Sequence, residues 1–139
     1  MSTNPAGYSG TPLAKKLGFV AGSTVWVINP PADYQALVAP SLPPGVECAS
    51  ALTAATNTVH LFTDSKAALH THLKSLRTAI RPNAVIWVSW PKKASKLPTD
   101  ITEDTIREIA LPLGLVDIKV CAVSEIWSGL KLVIRKELR

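Results

Sequence analysis

The chain has little with which to cross-link itself: two cysteines, Cys48 and Cys121, each inside an apolar stretch and neither part of a CxxC pair. A disulfide framework or a structural zinc site is therefore not expected. Long apolar runs are also missing, since none approaches the roughly 18 residues that span a bilayer. The opening MSTNPAGYSGTP has neither a basic nor an apolar leader segment, so a cytoplasmic protein with no membrane contact is expected. Glycine is scarce, at 7 residues, and no GxGxxG or GxxxxGK[ST] pattern occurs. The backbone cradles of dinucleotide and P-loop sites are thus absent, and no cofactor is expected. Only 18% of residues are charged and no run of five basic residues occurs.

What the chain does have is apolar content, 47% of its 139 residues, enough for one folded domain with its own core. The formal net charge of +5 is uneven. Residues 1–63 balance Lys15 and Lys16 against Asp33 and Glu47, whereas residues 64–139 hold thirteen Lys or Arg against eight Asp or Glu. A positive second half favours anionic partners such as nucleotides, phosphates, nucleic acid or acidic proteins, or it is a solvated surface.

Residues 1–12, with Pro5, Gly7, Gly10 and Pro12, read as an N-terminal arm, and residues 13–139 as one domain. Leu13 to Leu17 forms a helical turn closed by Gly18. Thr24-Val-Trp-Val-Ile28 is β-branched and aromatic, as a buried strand should be. Pro31 to Val38 reads as a short helix with proline in its first turn. Val46–Ser50 is a weak strand and Asn57–Thr63 a stronger one. Leu69, Leu73, Leu76 and Ile80 recur at helical spacing, with Asp64 or Ser65 as cap and Pro82 beyond the end. Val85 to Trp90 is apolar enough for a central strand covered on both faces. A third helix starts at the Thr102 cap, with Ile101 and Ile106 as a staple, and buries Ile106, Ile109, Ala110 and Leu113 before Gly114 closes it. Val116–Val123 and Leu130–Arg135 read as an antiparallel pair.

This order implies a three-layer α/β fold, an open Rossmann-like sheet of about six strands, mostly parallel with a C-terminal antiparallel pair. The final pair, and Arg81-Pro-Asn-Ala-Val-Ile-Trp before the central strand, resemble the Rossmann-like methyltransferase fold. Three stretches are more distinctive: Gly7-Tyr-Ser-Gly-Thr-Pro-Leu13 with Lys15-Lys16-Leu17-Gly18, then Trp90-Pro-Lys-Lys93, then Gly114 to Val123 followed by Glu125 and Trp127-Ser-Gly-Leu130. Together they resemble a family of small bacterial proteins of unknown function, DUF3052. That resemblance implies the Rossmann-like fold and a bacterial cytoplasmic origin, and no reaction.

In such sheets ligands bind outside the carboxyl ends of the strands at the switch in strand order. The expected pocket therefore involves Asn29, Asp64, Ser89, Trp90, Lys92 and Lys93, with the lysines as point charges and Trp90 as a stacking face. A methyltransferase needs glycines after its first strand and an acid ending its second; here Asn29-Pro-Pro-Ala and a misplaced Glu47 stand instead. Asp64 and Cys121 are the candidate catalytic residues, an acid or base and a thiolate, against a helix cap and an inert strand cysteine. His70 and His72 point about 200° apart on a helix and cannot share a metal, and His60 lies inside a strand. No metal is expected.

Three functions follow. The first is a binding or regulatory module for an anionic small molecule or protein partner. The second is a small enzyme acting on an anionic substrate, a degenerate methyltransferase. The third is a nucleic-acid-binding protein, which lacks any helix-turn-helix, zinc-finger or RNA-recognition signature.

Overall fold

The computed structural model describes residues 11–139. The arm expected at 1–12 and the Gly7-Tyr-Ser-Gly10 part of the first motif fall almost wholly outside them. Six strands, β1 (Thr24–Ile28), β2 (Glu47–Ala49), β3 (Thr56–Phe62), β4 (Val85–Pro91), β5 (Leu115–Ala122) and β6 (Trp127–Ile134), form one sheet. Its order is β2-β1-β3-β4-β6-β5. The first four are parallel, and β6 lies antiparallel between β4 and β5. The strand order reverses between β1 and β3, so that is the switch point.

Four helices accompany the sheet: α1 (Leu13–Lys16), α2 (Tyr34–Val38), α3 (Lys66–Ala79) and α4 (Glu103–Ala110). The α3 stripe of Leu69, Leu73 and Leu76 is buried against Val59, Leu61, Ile86 and Val88, with Ile106 and Ile109 of α4 joining the same cluster. On the opposite face Leu13, Ala14 and Leu17 pack with Tyr34 and Val38 over Val25, Phe62, Trp87 and Val123. Residues alternate between faces along each strand, which is why β4 is apolar at nearly every position. The β2 to β3 connection crosses β1 through residues 50–55 with no helix. A span that short suffices because β2 has only three residues.

Several boundaries differ from the sequence reading. The α2 helix begins at Tyr34, after a turn in which the Tyr34 amide donates to the Pro31 carbonyl. Ser65, not Asp64, caps α3, its side chain accepting from the Ala68 amide at 3.2 Å, and Asp100 accepts from the Lys66 amide. Thr102 caps α4 within a capping box completed by Thr105. That helix stops at Ala110 and continues as a 3₁₀ turn over Leu111–Leu113, because Pro112 has no N–H to donate. Gly114 then reverses the chain at φ 87°, where an added Cβ would meet Leu138 at 2.7 Å. The last strand starts at Trp127 rather than Leu130, since its ladder with β4 runs on to Pro91.

Candidate functional site

The six expected ligand residues sit at the carboxyl ends of the strands, and the sheet distributes them among different environments. Asn29 is exposed just past β1, with φ 54° in the left-handed region. Asp64 is exposed after β3, and its main-chain carbonyl accepts from the Thr99 hydroxyl at 2.8 Å. Ser89 is fully buried, and its hydroxyl is 2.8 Å from Nε2 of His60. Trp90 is also buried, among the side chains under α3 and α4. Its neighbours Lys92 and Lys93 part company. The Lys92 amide donates to the Ile126 carbonyl at 2.7 Å and its charge acts on Lys16. Lys93 is exposed and lines a separate cavity with Trp90.

That cavity, about 420 Å³, opens beyond the end of β4 and is lined by Trp90, Lys93, Lys96, Leu97, Thr99 and Ile101 among others. A 3₁₀ turn over Lys93–Ser95 shapes its rim. The Ser95 hydroxyl donates to the Lys92 carbonyl and accepts from the Leu97 amide. Lys96 is held at φ 61°, a conformation that costs a non-glycine residue about 1–2 kcal/mol. Neither Lys93 nor Lys96 makes an ion pair among the described residues. The Thr99 and Thr102 hydroxyls are taken up inside the protein. The charged groups on the wall are therefore the two ammonium groups and the carboxylate of Glu103, which is already paired with Arg107, set against a floor of Trp90 and Ile101.

Sequence reasoning missed a buried polar chain. Tyr34 Oη lies 2.9 Å from Nδ1 of His60, and Nε2 of the same ring 2.8 Å from Ser89 Oγ. A neutral imidazole carries one donor and one acceptor, so both neighbours are satisfied without charge. Complete burial pushes the His60 pKa down to about 3, and burial likewise pushes the Tyr34 phenol well above its usual range. The available signal was a histidine inside the apolar run Val59-His-Leu61, which needs partners from neighbouring elements.

Cys121 is half-buried. Burial raises its thiol pKa more than nearby Lys16 and Lys119 lower it, so it is a protonated thiol at neutral pH and not a ready nucleophile. His70 is exposed on α3, and among the described residues no group of three metal-ligating side chains forms. No helix among them is long and apolar enough to cross a membrane.

No family model and no curated protein matches the chain. The likeness carried by residues 7–18, 90–93 and 114–130 thus rests on those motifs alone. Among solved structures, LepI in complex with SAM and a LepI variant in complex with SAH and a substrate analogue each align with TM-score 0.54 and 14% identity. A structure described as a pericyclic reaction enzyme aligns with TM-score 0.51 and 12% identity. Each alignment covers 88% of this chain and 39% of the other, so the chain spans about two fifths of their length. At these identities what is shared is the fold. It is a Rossmann-like sheet, mostly parallel with a C-terminal antiparallel pair.

Proposed function

We propose that this protein is a Rossmann-like binding module, without a cofactor loop, that takes an anionic small molecule in the cavity beyond β4. The observation carrying this reading is the pair Lys93 and Lys96, two cations without ion pairs among the described residues, on the wall of a cavity floored by Trp90 whose lining carboxylate, Glu103, is paired with Arg107. The strained Lys96 backbone supports it, since conformations of that cost cluster at ligand clamps. The ligand joins an anionic group to an apolar or ring portion that rests on Trp90, Leu97 and Ile101.

A thermal-shift panel of mononucleotides, dinucleotides, phosphorylated metabolites and SAM tests this, because a ligand that binds only the folded state raises the midpoint. Binding by one anionic class is expected, and in Lys93→Ala/Lys96→Ala it weakens by roughly tenfold or more, about 1.4 kcal/mol. The unliganded midpoint should hardly move. Silence across the panel, or binding unaffected by the double variant, contradicts the reading.

A second reading is a degenerate methyltransferase-like enzyme. It is supported by the fold shared with SAM-bound and SAH-bound structures and by a cavity of about 400 Å³ at the ends of β1 and β2, lined by Pro30, Pro31, Tyr34 and Cys48. A midpoint shift with SAM that survives Lys93→Ala/Lys96→Ala would favour it.

A further inference from the structure

The strand-end cavity leaves most of the basic residues in the distinctive motifs unused. Lys15 and Lys16 belong to α1, near the start of the described chain, while Lys119 and Cys121 belong to β5, about a hundred residues later. The fold brings them together. A cavity of about 450 Å³ on the α1 face of the sheet is lined by Thr11, Lys15, Lys16, Lys119 and Cys121, with Val120 and Ala122.

The charges here are built in rather than scattered. Lys16 is 8% exposed, and its ammonium donates to the main-chain carbonyl of Ala122 at 3.1 Å, which ties α1 to the end of β5. Burial lowers its pKa and Lys92 adds to the lowering, while the neighbouring Cys121 opposes it. Lys15 and Lys119 are exposed and form no ion pair among the described residues. Among the described residues no Asp or Glu lines the cavity. Several cations focused on one half-enclosed space give a positive potential that low-dielectric walls intensify. Such a cluster is unfavourable alone and is relieved by a multivalent anion.

We propose that the cavity between α1 and β5 is a second, separate binding site, and that it takes a phosphate group or a comparable multivalent oxyanion held by Lys15, Lys16 and Lys119. A multivalent anion fits better than a carboxylate because the lysines approach from two elements and match several oxygens as point charges. The site is independent of the one beyond β4: the two share no lining residue.

Cys121 supplies a reporter inside the cavity, and Cys48, which lines the cavity at the ends of β1 and β2, an internal control. The 139-residue chain is alkylated with iodoacetamide, which is uncharged, in pyrophosphate or in sodium chloride of equal ionic strength. Peptide mass spectrometry then follows each cysteine separately. Pyrophosphate is expected to slow alkylation of Cys121 several-fold and leave Cys48 unchanged. In Lys15→Ala/Lys119→Ala, which alters only exposed side chains, the protection should be lost while the melting midpoint stays close to that of the parent. Inorganic phosphate alone should protect at higher concentration, and a phosphate monoester that protects at lower concentration would identify an organic phosphate as the preferred ligand. Equal rates in pyrophosphate and chloride, equal slowing of both cysteines, or protection that survives in the double variant would each overturn the proposal. Loss of binding in Lys93→Ala/Lys96→Ala leaves this result untouched, so the two sites stand or fall separately.

Discussion

The two faces of the sheet are stabilised in different ways. Under α3 and α4 the contact is aliphatic: Leu69, Leu73, Leu76, Ile106 and Ile109 meet Val59, Leu61, Ile86 and Val88. Under α1 and α2 the helices have only 4 and 5 residues, and aromatic and polar groups fill the space. His60 sits edge-on to Tyr34, and Phe62 edge-on to both Tyr34 and Trp127. Trp87 Nε1 donates to the Leu17 carbonyl at 2.9 Å, fastening α1 to the middle of the sheet. One face gains stability from non-directional burial, whereas the other depends on every buried polar group finding its partner. Short helices cannot cover a sheet with aliphatic side chains alone, so large rings and hydrogen bonds substitute for missing turns.

The sharpest break in this comparison is Trp87→Ala. It should cost about 3–5 kcal/mol in urea unfolding, as for other buried aromatics, and release α1 because the Leu17 carbonyl loses its donor. Leu73→Ala on the other face should cost about 2–5 kcal/mol and leave α1 protected in amide exchange.

Acid separates the faces next. His60 has a folded-state pKa of about 3 against an ordinary 6.5, so the unfolded chain binds its proton first. Its contribution is fully present above about 6.5 and declines by roughly 1.4 kcal/mol per pH unit as pH falls toward about 3. His60→Leu should flatten that part of the stability profile, and a profile unchanged by the substitution would show that other groups govern it. Tyr34→Phe leaves one imidazole nitrogen without its partner and should cost about 1–3 kcal/mol. The smallest effect is at the strand-end loop. Lys96→Gly relieves the left-handed backbone and should change stability by less than about 1 kcal/mol, while ligand affinity falls because a charge is gone.

The aliphatic face was the more legible in the sequence. Helical spacing of Leu69, Leu73 and Leu76 located α3, and the Thr102 cap with its Ile101 and Ile106 staple located α4. These signals are local. The other face is assembled from residues remote in sequence: Tyr34 finds His60, which finds Ser89, and Lys16 finds the end of β5. No window of sequence contains such a pairing. Of the expected ligand residues, Trp90 and Lys93 share a cavity, Ser89 belongs to the buried polar chain, and Asn29 and Asp64 stand apart. Strand pleating explains the separation of Ser89 from Trp90, since adjacent residues face opposite sides. Lys96 went unnoticed because it reaches the cavity wall only through the 3₁₀ turn over Lys93–Ser95.

Backbone amide chemical-shift mapping tests most directly whether anions are recognised at particular cavities rather than by diffuse positive charge. Titration with AMP and, separately, with pyrophosphate should perturb two compact sets of amides, residues 93–102 around the cavity beyond β4 and residues 15–16 with 119–122 around the cavity under α1. Small shifts scattered over the lysine-bearing surface, or none at either cavity, would contradict it.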